Sequence, residues 1–207
     1  MFAEHLNPRN LRRAAAWSVV LAMSLAIGSA GAAPAPASRA VNVASLPVNV
    51  PWLTAGTKPG EKVRPLTAED FFEIEQLYYR YAYALDTGDG PGRAATFVPD
   101  GGFSGLMSKH QPETPATLAK RTNDAGNTGS RHMQYNIILA PTAEGARGSC
   151  YVLIIMKSGR AKPDGSFPTL TGFYEDTLVR TPRGWRFKTR HIWQDQEPGS
   201  PYKPRPE

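Results

Sequence analysis

LTAEDFFEIEQLYYRYAYALDTGD, residues Leu66–Asp89, reads as one amphipathic helix around which the rest of the chain is organised. Ile74, Leu77, Tyr78, Tyr81 and Leu85 recur at three- and four-residue steps, which at about 100° per residue align as an apolar stripe. Glu73, Gln76 and Arg80 fall on the far side. Thr67 is placed to cap the start, with Glu69 and Asp70 in the first turn against the positive end of the helix dipole. Gly88 and Gly90 supply the stop. Asp86 lies between the stripe and the solvent side, beside Tyr79 and Tyr83. A carboxylate emerging from an aromatic surface can serve as a base. Asp before Thr87-Gly88 is also ordinary helix-ending chemistry, and the helix by itself favours that plainer reading.

Upstream, Arg9, Arg12 and Arg13 precede the apolar run Ala14–Ile27 and a small-residue stretch ending at Ala30-Gly31-Ala32. That order predicts a secretory signal peptide over 1–32, so export to the periplasm or medium is expected. Its apolar core is shorter than the roughly 20 residues a membrane-spanning helix needs, so no membrane attachment is expected after cleavage. Residues 33–65, rich in Pro, Ala, Val and Gly, read as a linker or extended arm, and the Pro-rich residues 196–207 as a tail. The formal charge of the 207-residue chain is +6, but its Lys and Arg are dispersed without a basic stripe, so nucleic acid is not an expected partner. The single cysteine, Cys150, cannot form an intrachain disulfide.

Downstream of the helix, 92–97 reads as a short second helix and Val98–Phe103 as a turn entering a strand. Thr114 before Pro115 opens a third helix running to Asn123. The period then changes. Arg131–Leu139, Arg147–Lys157, Thr171–Arg180 and Gly184–Gln194 are rich in β-branched and aromatic residues, and turn signals separate them. Helices followed by antiparallel strands predict an α+β domain over 66–195 with one sheet folded over the helices. In Tyr151–Met156 both alternating faces are apolar; one can cover the helices, and the other is expected to meet a second subunit in a homodimer, or to be buried by the 33–65 arm.

Three segments together, RYAYALDTGD, RHMQYN and GFYEDTLVRTPRGWRFKTR, resemble the SnoaL-like branch of the NTF2-like superfamily. The resemblance spans about Leu66 to Asp195. It implies a curved antiparallel sheet wrapped around helices into a cone enclosing a deep pocket, commonly in a dimer. The enzyme patterns it looks most like are those of the bile-acid 7α-dehydratases and, more loosely, scytalone dehydratase. The K-Y-F-R-C-L-D pattern of the former is similar to Arg80–Asp86, carrying its tyrosine onto Tyr81 and its aspartate onto Asp86. Its H-M-G-H stretch is similar to His132-Met133-Gln134-Tyr135, where one of two histidines is replaced by Tyr135. An acidic residue expected near Ile154 and a histidine expected near Cys150 are both missing, so the chain departs from the full enzyme constellation.

Eliminating water, or shifting a double bond beside a carbonyl, needs a base and a donor for charge developing on oxygen; neither metal nor other cofactor is required. By strand alternation His132, Gln134 and Asn136 share one face, with Met133, Tyr135, Ile137 and Leu139 on the other. If the polar face is turned inward, Asp86 can hydrogen-bond His132 and fix its tautomer; a polar face in solvent is the alternative. The expected catalytic set is Asp86 and His132 with Tyr81 or Tyr83 as donor. Tyr79, Asn136, Tyr174 and His191 are the expected ligand-binding residues. His191 sits on one face with Trp185, Phe187, Thr189 and Trp193, where a packed core role is as natural. Arg190 should point oppositely unless a bulge intervenes, pairing with Asp176 or Glu175 across the last hairpin. His5, His110, His132 and His191 have no metal-ligand spacing, so no metal is expected.

These readings lead to a cofactor-independent lyase or isomerase acting on a small apolar, cyclic, oxygenated molecule. The alternative is a non-catalytic small-ligand-binding module on the same cone. A third class on this fold, the small subunit of an aromatic-ring dioxygenase, fits an exported single chain less well.

Overall fold

The computed structural model describes residues 62–105, 111–156 and 169–195, with Leu53, Glu197, Pro198 and Ser200. The expected signal peptide, nearly all of the 33–65 arm, His110, residues 157–168 and most of the tail lie outside the described residues.

The central helix, α1, runs Ala68–Thr87. Thr67 is its cap: its hydroxyl accepts the Asp70 N–H at 3.2 Å, and the Asp70 carboxylate takes the Thr67 N–H at 3.0 Å. This reciprocal box satisfies two of the backbone donors that a helix start leaves open. At the other end Gly88 adopts φ 79°, the left-handed conformation that glycine accepts without penalty, and a Cβ there would meet Gly126 backbone at 2.6 Å. Gly90 departs from expectation. It opens the next helix, α2 (Gly90–Ala94), where the Asp89 carboxylate accepts the Gly92 N–H.

Strand β1 (Phe97–Ser104) follows, then helix α3 (Pro115–Ala125). The strands β2 (Arg131–Pro141), β3 (Gly145–Ile155), β4 (Thr169–Thr181) and β5 (Gly184–Gln194) complete the chain. The sheet is five-stranded and unclosed, in the order β1-β5-β4-β3-β2, so β2 is an edge. All neighbours are antiparallel except β1, which runs parallel to β5; that pairing of the strand after α2 with the last strand has no signal in the local sequence.

Ile74, Leu77, Tyr78 and Tyr81 of the predicted stripe enter the core, against Leu139, Val152, Ile154, Leu178, Phe187 and Ile192 of the sheet. Each such side chain contributes about 1.5–3 kcal/mol on burial. Leu85 is only partly buried at the margin of the same core.

Two bulges decide which residues face inward. On β2 the register shifts between Tyr135 and Ile138, where Asn136 adopts φ 56°. Asn136 is therefore exposed in the bulge rather than in line with His132 and Gln134, and Leu139 turns into the core. Against β4, Thr177 pairs with Thr189 and Leu178 with Phe187, so Lys188 is an extra residue. An extra residue reverses the alternation beyond it. Trp185, Phe187, Arg190 and Ile192 all point inward as a result, and His191 and Trp193 lie on the opposite side.

Arg190 fills the interior. Its guanidinium carbon stands 3.6 Å from the Tyr174 ring centroid, 4.4 Å from Tyr81, 4.5 Å from Phe187 and 4.7 Å from Tyr78. It donates to Gln134 Oε1, and its Nη1 lies 3.7 Å from Asp176 Oδ2. Burial pushes the Asp176 carboxyl up to about 6, outweighing the nearby Arg190 charge. Burial also raises the Cys150 thiol to about 12 and the Tyr78 and Tyr174 hydroxyls above the usual phenol range, so these groups stay neutral.

Candidate active site

The carboxyl-terminal half of α1 places Tyr79, Ala82, Tyr83 and Asp86 along one flank. The free edge of β2 runs beside it, and between them opens a cavity of about 470 Å³, within the range of small-molecule sites. Consecutive residues Arg131–Tyr135 all line it, because an edge strand presents its rim as well as one face. Thr87 and Asn127 complete the wall.

Asp86 and His132, 46 residues apart in sequence, meet at this cavity. The imidazole Nδ1 is 2.5 Å from Asp86 Oδ1, and the His132 backbone N–H donates to Oδ2 at 3.0 Å. With the carboxylate ionised, and so able only to accept, the proton between them sits on Nδ1. Neutral His132 then carries its lone pair on Nε2, which has no hydrogen-bond partner among the described residues. The pair is mostly enclosed, with His132 and Asp86 side chains 14% and 11% exposed. Such enclosure strengthens a hydrogen bond between them relative to water.

The other expected residues divide. Tyr83, 74% exposed, lines the cavity with no hydrogen-bond partner for its hydroxyl among the described residues. Tyr79 also lines it, with its hydroxyl donating to Glu75 at 2.9 Å. Tyr81 is not at the cavity. Its hydroxyl accepts from buried Arg93 at 2.6 Å in the core, because the apolar stripe, not the flank, carries it. Tyr174 is buried under Arg190. His191 is turned away by the Lys188 bulge; its Nδ1 meets Ser104 Oγ at 2.6 Å and its ring packs on Trp193 at 4.3 Å. Asn136 lies in the β2 bulge and does not line the cavity.

Sequence alternation misses Met133 and Tyr135 as lining residues, since it assigns them to the face opposite His132. It misses Arg131 and Asn127 too; only their closeness in sequence to His132 could draw attention to them. Among the described residues, no group of three His, Cys, Asp or Glu is placed to hold a metal ion.

A family model described as "SnoaL-like domain" matches residues 67–191. Among solved structures, a candidate scytalone dehydratase from Novosphingobium aromaticivorans is similar at 26% identity, over 61% of this chain and 84% of that chain, with a TM-score of 0.53. Aln2 from a Streptomyces species is similar at 25% identity, over 64% of this chain and 95% of that chain, with a TM-score of 0.52. An NTF2-like protein with a cystatin-like fold, also from Novosphingobium aromaticivorans, shares the fold at 22% identity, over 60% and 80% of the two chains, with a TM-score of 0.50. No curated protein matches.

Proposed function

The chain belongs to the SnoaL-like domain family, and from that premise we propose that it is a cofactor-independent lyase or isomerase acting on a small apolar, cyclic, oxygenated molecule. The observation that carries the proposal is the Asp86–His132 pair, with Nδ1 bound to carboxylate at 2.5 Å and Nε2 available at a cavity of about 470 Å³. His132 Nε2 takes the proton from a carbon next to a carbonyl, and Asp86 supports the imidazolium that forms. The Tyr83 hydroxyl donates to the carbonyl oxygen as charge gathers there. In an isomerisation the same nitrogen returns the proton two carbons further along. In a dehydration it protonates the departing hydroxyl, which leaves as water. The likeness to a candidate scytalone dehydratase supports this class of chemistry.

The test is proton exchange. Cyclic enones and β-hydroxy ketones incubated with the protein in deuterated buffer should exchange their acidic C–H, followed by NMR, at least about 100-fold faster with wild type than with His132→Ala, the usual scale of one general base. Binding without exchange across the panel would favour the second reading, a ligand-binding module. The specific observation behind that reading is that buried, non-titrating side chains, Ile154 and Cys150, stand where the resemblance expects further acid/base groups. The exposed row Met133, Tyr135 and Tyr151 supports a homodimer, and the arginine-led apolar leader supports a site of action outside the cytoplasm.

A further inference from the structure

The polar groups around the cavity are unevenly spent. Asp86 uses both oxygens on His132. Gln134 is committed at both ends, donating to the Tyr78 carbonyl and accepting from Arg190. The Thr87 hydroxyl donates to the Tyr83 carbonyl at 2.7 Å. Asn127 accepts the Gly129 N–H at 3.0 Å on Oδ1, which leaves its NH₂. Arg131 donates one Nη1 hydrogen bond to the Ser130 carbonyl at 2.7 Å, which tethers the guanidinium, and among the described residues it makes no ion pair. The amide and guanidinium groups left over at this wall are therefore all donors, and one of them is a permanent cation. The surrounding surface is Tyr79, Tyr83, Met133 and Tyr135.

From this inventory we infer that Arg131, assisted by Asn127, is an anion subsite, and that the cavity takes an aromatic or alicyclic carboxylate whose ring lies on the tyrosines and whose carboxylate is held by the guanidinium. A carboxylate matches the planar fork of arginine, and a charge-assisted hydrogen bond in a partly enclosed site is stronger than a neutral one. Among the described residues Asp86 forms no ion pair with Arg131, and both its oxygens are engaged by His132.

The inference rests on the reading of this cavity as the substrate site, and the experiment separates the two. Binding of 2-naphthoate and of 2-naphthamide to the full chain is measured by calorimetry, with wild type, Arg131→Gln and Arg131→Lys. Wild type should prefer naphthoate by about 10-fold or more, the scale of one charge-assisted hydrogen bond. Arg131→Gln should bring naphthoate down to the level of naphthamide and leave naphthamide unchanged, with Arg131→Lys intermediate. Equal affinities in wild type, a preference that survives Arg131→Gln, or no binding of either probe would each overturn the subsite. Equal affinities would leave the substrate-site reading standing, since both rings are then bound. An Arg131-dependent preference in a protein that exchanges no C–H would uphold the subsite while the acid/base reading fails.

Discussion

At the amino end of α1, Asp70 is ringed by donors: the Thr67 backbone N–H, the Trp185 indole at 3.0 Å, Arg180, and Arg64 at 2.9 Å. At the carboxyl end of the same helix, Asp86 has one residue as partner among the described residues, His132, and a cavity beyond it. Both are buried carboxylates, and what separates them is where their partners lead. Asp70 ties together the helix start, the arm residue Arg64 and the last hairpin, and its side chain is fully buried. Asp86 is joined through an imidazole to the wall of the cavity. Asp176 is a third case, sealed with Arg190 among aromatic rings and not among the residues that line the cavity. A buried charge alone does not mark a site; an outlet does.

The largest effect falls on the sealed pair: Arg190→Met strands the buried Asp176 carboxylate and should cost about 3–5 kcal/mol in urea unfolding. Arg190→Met combined with Asp176→Leu should recover much of that loss, because an apolar pair leaves no buried charge; a double variant as unstable as the single one would mean the ion pair itself is needed. Next comes Asp70→Ala, which removes a helix-capping contact and leaves the Trp185 indole N–H without its acceptor. Together these should cost about 2–3 kcal/mol by the same measurement.

The pH dependence of stability should separate the two sealed carboxylates by sign. Burial would raise Asp70, but the Thr67 N–H, the Trp185 indole and the Arg180 and Arg64 charges overcome it and hold the carboxyl below its ordinary value. Its contribution is present above the unfolded carboxylate range and is lost as pH falls through the folded value. Asp176, raised to about 6, behaves oppositely: its contribution is present below the unfolded value of 3.8 and is lost as pH climbs through about 6. Asp176→Asn should therefore remove a downward slope between those values, and Asp70→Asn an upward one in stronger acid. A wild-type profile unchanged by Asp176→Asn would contradict the burial argument.

The smallest stability effect belongs to the open pair. Asp86→Asn keeps an acceptor for the His132 backbone N–H and should cost no more than about 1 kcal/mol. Proton exchange should nevertheless fall about 100-fold, because the carboxylate that supports the imidazolium is gone. A variant with full exchange would assign Asp86 to helix termination only.

Much of this arrangement is legible in the sequence. The stripe through Ile74 and Tyr81, the Thr67 cap, the Gly88 stop and the four long strands follow from local periodicity and end chemistry, which the chain obeys. The meeting of Asp86 with His132 follows once the polar face of β2 is turned inward. Alternation fails beyond a bulge, however, and nothing in RHMQYN or WRFKTRHIW signals the extra residues at Asn136 and Lys188. That is why alternation places Asn136 and His191 inside, and why it gives Arg190 the inward face only on condition of a bulge. The edge position of β2 is a property of the whole sheet order, so the role of Arg131, Met133 and Tyr135 in the cavity wall could not be read from their own strand.

The central claim is that Asp86 fixes the His132 tautomer so that Nε2 faces the cavity as a base. Long-range ¹⁵N–¹H correlation of the His132 ring, recorded above its titration in wild type and in Asp86→Ala, measures this directly. The account predicts that wild type has a protonated Nδ1 and an unprotonated Nε2, and that Asp86→Ala moves the population toward the Nε2–H form. A wild-type ring carrying its proton on Nε2, or one whose tautomer ignores Asp86→Ala, would contradict it.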